Sequence, residues 1–240
     1  MSAAFLQVRD LDFRFGSRRI LRGLSLTLHR GEALALFGAN GAGKTTLLRL
    51  LATLLRPAAG DAELEGVSLF RRSERSRTRR RIGFLSHQSM LYERLSARQN
   101  LLFYARMYEV PDPARRCAEL FRLVELEGRE DDPVEEYSRG MQQRLALARA
   151  LVHDPDLVLL DEPFSGLDPR AARRLGELLV DLAEKGKAVL FSSHDLEAGL
   201  SVARRVAILW GGRLAFEAGR DTLTLDSLAR TYASVAGRIA

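Results

Sequence analysis

A glycine-rich stretch constrains the fold of this chain more than any other feature. From Gly38 to Thr45 the sequence reads G-x-x-x-x-G-K-T. The five residues before it, 33–37, are all apolar, which is typical of a buried parallel strand. After it, leucines recur at helical spacing between positions 47 and 55. Together these features predict a strand, a tight loop and a helix, and in that context the pattern indicates a phosphate-binding loop.

The chemistry of such a loop follows from its backbone. Gly38, Gly41 and Gly43 have no Cβ, so the loop can adopt positive φ and approach a phosphate closely. Its N–H groups would point inward at the positive end of the following helix. We expect Lys44 to reach the β- and γ-phosphates and the Thr45 hydroxyl to ligate Mg²⁺. The alternative, a glycine-rich turn without a ligand, is disfavoured by the complete pattern in this context.

The composition limits the number of domains and the cellular compartment that we expect. The chain has 240 residues, 46% of them hydrophobic, which suits one large α/β domain or a domain with a subdomain. Its one cysteine, Cys117, excludes an internal disulfide and favours a reducing compartment. The start of the chain has no signal-peptide pattern and no run of about 18 apolar residues occurs, so we expect neither a signal peptide nor a membrane span. The net charge is +6, and almost all of the positive charges are arginines.

Two carboxylates follow a second apolar run. Residues 157–160 predict a buried strand, and Asp161 and Glu162 come directly after it. Beside a phosphate loop, Asp161 suits the Mg²⁺ shell and Glu162 suits a base that polarises the attacking water. Another apolar run, 188–191, predicts a strand from which His194 leaves on the same side.

The remaining strands are read from alternation and turns. Residues 5–28 predict a first hairpin, on which Phe13 and Phe15 share a face. A strand phenylalanine is more often a core residue, but one of these two could stack on an adenine ring. We further expect the loop helix to end at 56–60, a short edge strand at 62–66, a final hairpin at 206–216 and a short amphipathic helix at 221–236.

A strand at 82–86 is predicted to end in His87 and Gln88, at the edge of the sheet where ligands bind in open α/β folds. Residues 96–136 then change character and predict a helical insertion. Ser96 with Gln99 forms a capping box, and Asp112 precedes a proline at the first turn of the next helix. That helix has one apolar face, formed by Cys117, Leu120, Phe121 and Val124.

Two further segments have open interpretations. Ser138 is a natural N-cap for a helix that includes 145–151, and the site is either an anion site or simply a capped helix. Residues 71–81 contain a dense run of arginines. Such a run is usually a solvated surface, and the alternative is binding to nucleic acid or acidic lipid. No RNA-binding aromatic motif or helix-turn-helix accompanies it.

Taken together, these motifs resemble the ATP-binding cassette (ABC) ATPases, the motor subunits of ABC transporters, over about residues 5–217. The resemblance implies an α/β fold: a P-loop NTPase core with a mostly parallel sheet, an antiparallel β subdomain and a helical insertion. It implies one ATP-binding domain over 1–220, with a helical subdomain at about 90–155, and a C-terminal helix or tail at 221–240.

The resemblance also assigns roles by motif. Residues 38–46 are similar to the Walker A loop, 157–162 to the Walker B strand with its catalytic glutamate, 138–142 to the signature motif and 165–168 to the D-loop. The catalytic residues implied are Glu162, His194 as the switch histidine, and Gln88 of the Q-loop. Mg²⁺ ligation is implied for Thr45, Gln88 and Asp161. ATP contacts are implied for Phe15, Gly38, Asn40, Gly41, Ala42, Gly43, Lys44, Thr45, Thr46, Ser138, Gly140 and Asp168.

The signature departs from the usual L-S-G-G-Q, because residues 137–141 read Y-S-R-G-M. Ser138 and Gly140 remain, whereas Arg139 and Met141 alter the motif. Variants of the form Y-S-x-G-M resemble exporters whose permeases are separate chains. Within that branch, residues 83–88 and 95–101 look most like the ATP-binding subunit of the haem exporter of cytochrome c biogenesis.

The mechanism implied is dimeric and uses ATP and Mg²⁺. Each chain would supply its phosphate loop, Asp161, Glu162 and His194, and its partner would supply Ser138 and Gly140 across the interface. We expect a homodimer bound to transmembrane permease subunits, peripheral on the cytoplasmic face of the membrane, with no nucleic-acid partner. The alternatives are a drug or lipid exporter subunit, a soluble nucleic-acid-associated ABC ATPase, and a non-hydrolysing nucleotide-binding regulator.

Overall fold

The computed structural model describes residues 4–86 and 88–237. His87, one of the two polar residues predicted at the end of the 82–86 strand, lies outside the described residues. The strands are β1 (Leu6–Phe15), β2 (Arg18–Leu28), β3 (Ala33–Phe37), β4 (Ala59–Leu64), β5 (Val67–Ser68), β6 (Ile82–Leu85), β7 (Leu157–Leu160), β8 (Ala188–Ser193), β9 (Arg205–Trp210) and β10 (Arg213–Gly219).

The helices alternate with the core strands and also form a separate group between β6 and β7. They are α1 (Lys44–Leu51), α2 (Arg75–Arg79), α3 (Ala97–Met107), α4 (Pro113–Leu123), α5 (Arg139–Leu151), α6 (Pro169–Glu184), α7 (Leu196–Val202) and α8 (Leu225–Gly237). Short 3₁₀ turns occur at Val134–Glu136 and Arg220–Thr222. Within the described part of the chain, no helix has the length and apolar character needed to cross a membrane.

The core sheet has the strand order β10-β9-β3-β8-β7-β6. Every pairing in it is parallel except that of β10 with β9. β3 and β7 are buried along their whole length, because parallel sheets are covered on both faces. β8 pairs with β3 on one side and β7 on the other, so the carboxyl ends of these three strands meet at one edge. The predicted mostly parallel core is therefore confirmed.

The second sheet is antiparallel, with the order β2-β1-β4-β5. The first hairpin is confirmed, and Leu24, Leu26 and Leu28 of β2 all point into the core. The strand predicted at 62–66 is present as β4, but the prediction that it lies at the edge of the sheet was wrong. β4 pairs with β1 on one side and with β5 on the other, so β5 is the edge, and Gly66 lies in the turn between them with φ of +77°.

The loop helix α1 is shorter than predicted. It ends at Leu51 because Thr53 adopts the left-handed conformation, with φ of +58°. The N–H of Thr53 binds the carbonyl of Leu50 at 2.8 Å, and the N–H of Leu54 binds that of Arg49 at 2.9 Å. This is a Schellman motif, which usually carries glycine at the position that threonine occupies here. Leu54 consequently lies beyond the helix and is 48% exposed.

The helical insertion is confirmed as α3 and α4, which pack with α5. Ser96 and Gln99 form the predicted capping box, and the Asp112 carboxylate accepts the N–H of Arg115 at the start of α4. The predicted apolar face of α4 (Cys117, Leu120, Phe121 and Val124) is buried. The final hairpin, β9 with β10, matches its prediction, and the C-terminal helix is present as α8 but begins at Leu225 rather than at 221.

One buried amide fastens the insertion to the chain that leads into it. Asn100 on α3 is fully buried. Its Oδ1 accepts the N–H of Tyr92 at 2.8 Å, and its Nδ2 donates to the carbonyls of Tyr92 and Ser96, both at 3.0 Å. The side chain thereby fixes the path of residues 92–96.

We expect Asn100→Ala to lower the free energy of unfolding by about 2–3 kcal/mol, because buried backbone groups lose their partners. Urea unfolding of the purified chain measures this. Asn100→Asp, which keeps an oxygen acceptor and loses the amide donor, serves as the comparison. A free energy of unfolding unchanged in both variants would contradict the structural role.

Candidate nucleotide site

The glycine loop between β3 and α1 has the close packing that excludes side chains. A Cβ on Gly38 would lie 2.5 Å from the carbonyl oxygen of Leu209, and one on Gly43 would lie 2.8 Å from Leu21. Gly41 and Gly43 have φ of +80° and +111°. The loop therefore needs glycine both for space and for backbone conformation.

Lys44 begins α1 and is almost completely buried. Its Nζ donates to the carbonyl of Gly38 at 2.6 Å, and it lies 3.4 Å from Oε1 of Glu162. The ammonium group is thus held over the loop between a backbone dipole and one carboxylate. An incoming phosphate would compete with these two oxygens for the same cation.

Oxygen atoms of Thr45, Asp161 and Ser192 meet beside the loop, at the carboxyl ends of β3, β7 and β8. The Thr45 hydroxyl binds Oδ1 of Asp161 at 3.1 Å. Ser192, at the end of β8, donates its hydroxyl to the same Oδ1 at 2.9 Å and accepts the N–H of Glu162, also at 2.9 Å. Ser192 is fully buried, so it fixes the two carboxylate-bearing residues relative to each other.

Glu162 has a left-handed backbone conformation, with φ of +52°. Such strain in a residue other than glycine needs support from its surroundings and occurs often at functional sites. Oε2 of Glu162 binds both the Nδ1 of His194 at 2.7 Å and its N–H at 3.1 Å. The carboxylate therefore joins Lys44 on one side to His194 on the other.

These groups line a cleft of about 560 Å³. It brings together most of the predicted phosphate loop with Glu162 and His194. Its walls are formed by Arg18, Ile20, Ala39, Asn40, Gly41, Gly43, Lys44, Thr45, Thr46, Glu162, Ser165 and His194. Gly38 and Ala42 are buried within the loop itself.

Other predicted residues are not among those that line this cleft. Phe15 is 52% exposed and packs edge to face on Phe13, with ring centroids 4.8 Å apart. Gln88 is exposed, and its backbone carbonyl accepts the hydroxyl of Ser86. The assigned roles of Phe15 and Gln88 stay predictions.

The predicted signature and D-loop residues are neighbours of each other in this chain. Ser138 caps α5 by accepting the N–H of Met141 at 3.3 Å, and Arg139 packs against Gly166. Asp168 caps α6, and the N–H groups of Ala171 and Arg170 hold the pKa of its carboxyl below the usual value. Ser138 and Asp168 are exposed and Gly140 is partly exposed, so these groups are available to a second molecule.

Sequence reasoning missed Ser192, Arg18 and Ile20, which support or line the cleft. Ser192 gave no signal of its own, because its contacts depend on the pairing of β8 with β3 and β7. Arg18 lies next to the loop, since a Cβ on Gly41 would be 3.9 Å from its guanidinium. Its position directly after the first hairpin turn could have suggested this, given that Phe15 was already a candidate.

The phosphate-loop and carboxylate segments match a known family model. The model for "ABC transporter" matches residues 21–165. An uncharacterized ABC transporter ATP-binding protein of Nostoc sp. is 40% identical over 207 residues, which is 85% of this chain and 61% of that protein. The chain thus spans less than two thirds of this relative's length.

Two relatives have more specific names. The Nod factor export ATP-binding protein I of Burkholderia orbicola is 37% identical over 225 residues, covering 93% of this chain and 73% of that protein. The daunorubicin resistance ATP-binding protein DrrA3 of Streptomyces coeruleorubidus is 36% identical over 229 residues, covering 95% and 72%.

Solved structures agree with the sequence relatives. An ATP-binding subunit of an ABC transporter superposes with a TM-score of 0.86 at 30% identity, covering 97% of this chain and 99% of that one. A dimeric ATP-binding cassette bound to ADP and Pi superposes with a TM-score of 0.82 at 26% identity, covering 90% and 98%. The chain belongs to the ABC transporter family, as one of its ATP-binding cassettes.

Proposed function

We propose that this chain is the ATP-hydrolysing motor subunit of an ABC exporter and works as a homodimer. The observation that carries the proposal is the position of Glu162. Its carboxylate lies at the wall of the phosphate-loop cleft, 3.4 Å from Lys44 and 2.7 Å from His194. Residues 1–220 would form the ATP-binding domain, with its helical subdomain at about 90–155 and residues 221–240 as a C-terminal tail.

The phosphate groups of ATP would bind to the loop N–H groups and to Lys44. Because Lys44 contacts both Gly38 and Glu162, phosphate binding would draw the ammonium group away from Glu162. Glu162 would then be free to accept a proton from the attacking water, while His194 holds its other oxygen. The chemistry therefore depends on positioning and charge rather than on a covalent intermediate.

The residues beside Lys44 fit Mg²⁺. The Thr45 hydroxyl and Oδ1 of Asp161 are hard oxygen donors 3.1 Å apart. Mg²⁺ is usually held by one or two carboxylates, with waters and substrate phosphates completing its shell. Bound there, the ion would neutralise phosphate charge, and Ser192 would keep Asp161 correctly oriented for it.

The second half of each site would come from a second copy of the chain. Ser138 and Gly140 do not line the cleft of their own chain and lie at the accessible start of α5. The likeness to a cassette that is dimeric with ADP and Pi bound supports this arrangement. Arg139 and Met141 replace the usual signature residues without removing the Ser138 hydroxyl.

A permease is the proposed partner. Exposed apolar side chains form a patch on α3 and the segments beside it: Leu54, Met90, Tyr92, Phe103 and Met107. The rings of Tyr92 and Phe103 pack 5.3 Å apart, and Tyr104 donates its hydroxyl to the carbonyl of Met90. A group of solvent-exposed apolar side chains of this kind marks an interaction surface. It would hold the chain on the cytoplasmic face of the membrane.

The relatives named for Nod factor export and daunorubicin resistance support an export function for this chain. Haem export is the second candidate, and it is favoured only by the sequence of residues 83–88 and 95–101. The proposed function is therefore export, with haem as one candidate cargo.

The test is an affinity-tagged pull-down from gently solubilised native membranes, with mass spectrometry of the partners and an absorption scan. Recovery of a multi-span protein with MgATP-dependent turnover supports the proposal, and a haem spectrum in that complex would favour haem as cargo. Recovery with ribosomes or DNA and no membrane protein would contradict it.

We expect Ser192→Ala to lower ATP turnover about tenfold, because a buried hydroxyl that orders Asp161 and Glu162 is lost. The ratio of ATP affinities with and without Mg²⁺ should fall, whereas Mg²⁺-free affinity should change little. Ser193→Ala is the matched control, since that hydroxyl binds only backbone groups of Asp195. Equal effects in both variants would argue against a specific role for Ser192.

A further inference from the structure

A cluster of arginines on α2 and around it is not used by the proposed ATPase mechanism. Residues 71–81 contain seven arginines and one carboxylate, Glu74. Among residues 4–86 and 88–237, Arg80 pairs with Glu109, and Arg81 pairs with both Glu65 and Asp156. The other five arginines have no carboxylate partner in that part of the chain.

Two of these five are fastened to the turn after α1. Arg75 donates to the carbonyl of Thr53 at 2.8 Å, and Arg79 binds the same carbonyl at 3.0 Å and the Thr53 hydroxyl at 2.6 Å. These bonds place α2 beside Arg56, which is exposed and has no carboxylate partner among the described residues. Burial and the nearby charges of Arg79 and Arg56 lower the pKa of Arg75.

The remaining three arginines of the run are exposed to solvent. Arg71, Arg72 and Arg77 are exposed, and in the described structure their side chains make no hydrogen bond or ion pair. α2 is only about 7 Å long at 1.5 Å per residue, which is less than one Debye length, and Arg71 and Arg72 precede it by four and three residues. We call this group, Arg56, Arg71, Arg72, Arg75, Arg77 and Arg79, the arginine surface.

Apolar side chains lie at its border. Arg79 lines a groove of about 190 Å³ together with Leu54 and Met90, which are 48% and 42% exposed. Leu54 and Met90 also belong to the patch proposed for the permease. The arginine surface therefore adjoins the face that would be turned toward the membrane, and this orientation rests on the proposed function.

We infer that the arginine surface binds the anionic headgroups of the membrane. Six like charges without carboxylate partners repel one another, and an anionic bilayer relieves that repulsion when it binds them. Aliphatic groups at the border of a cationic surface suit the boundary between headgroups and acyl chains. The surface would hold the cassette against the bilayer next to its permease.

The experiment is sedimentation of the purified chain with vesicles of phosphatidylcholine, with and without phosphatidylglycerol. We expect binding only to the vesicles that contain phosphatidylglycerol, weakening as salt concentration rises. The triple variant Arg71→Gln, Arg72→Gln and Arg77→Gln should bind about 10- to 100-fold more weakly. These three side chains make no contact that folding requires, so the melting temperature should be unchanged.

A matched control removes the same charge elsewhere, with Arg173→Gln, Arg213→Gln and Arg230→Gln on α6, β10 and α8. If both triple variants lose binding equally, net charge alone is responsible and the inference is overturned. Binding of a DNA duplex without binding to anionic vesicles would also overturn it. ATP turnover of the first triple variant in solution should equal that of the wild type, so failure here is separable from failure of the ATPase proposal.

Discussion

Glu162→Gln should retain ATP binding and lose about 10²- to 10⁴-fold in turnover, the range that a general base contributes. The amide keeps the shape of the side chain but cannot take a proton from water. Because the change also removes the negative charge 3.4 Å from Lys44, ATP affinity should be equal or higher. Single-turnover hydrolysis and equilibrium binding of labelled ATP separate the two effects.

The control for this variant is Glu184→Gln, which makes the same chemical change on an exposed residue at the end of α6. Its turnover should match the wild type. Near-normal turnover in Glu162→Gln would remove Glu162 from the role of base. ATP binding without measurable turnover in the wild type would instead favour a regulator that binds nucleotide and does not hydrolyse it.

Lys44→Ala is expected to weaken ATP binding by about 30- to 1,000-fold, the equivalent of about 2–4 kcal/mol. The buried ammonium group is the cation placed directly over the loop, so its removal leaves the phosphate charge poorly compensated. Isothermal titration with ATP measures the loss. The melting temperature must be recorded as well, because the variant also leaves the carbonyl of Gly38 without its partner.

Lys185→Ala provides the comparison for a lysine that only pairs with Asp181 on the surface. It should bind ATP as the wild type does. If Lys44→Met, which keeps most of the side-chain volume, folds normally and binds ATP with unchanged affinity, the glycine loop is not the phosphate site.

Local patterns predicted the parts of the site that lie within one segment of chain. The glycine loop, the strand before it and the strand before Asp161 were all predicted correctly. An apolar run of four or five residues bounded by turn residues is too short for a typical helix and fits a buried strand. The glycines at 38, 41 and 43 themselves indicated a backbone with positive φ, which the structure shows.

The predictions that were wrong or missing concern features that depend on other strands or on an unusual backbone conformation. β4 was assigned to an edge because the strand that covers its other side, β5, has only two residues and is too short to show a strand pattern. The end of α1 was missed because Thr53 takes a conformation that usually indicates glycine. Ser192 was missed because only the sheet register brings it to Asp161.

The arginine run shows a related limit. Its composition indicated either a solvated surface or an anion-binding surface. The contacts divide the run, because Arg80 and Arg81 have carboxylate partners, whereas Arg71, Arg72 and Arg77 have none among the described residues. Sequence alone cannot make this division, since the partners of Arg81 lie 16 and 75 positions away.

In the proposed dimer, two copies of this chain enclose ATP between the phosphate loop of one and Ser138 of the other. Light scattering of Glu162→Gln during size-exclusion chromatography tests it most directly. We expect a dimer with MgATP, a monomer with MgADP, and a monomer in both conditions when Ser138→Trp is added. A chain that binds MgATP tightly yet stays monomeric, or a dimer that forms regardless of nucleotide and of Ser138→Trp, would contradict it.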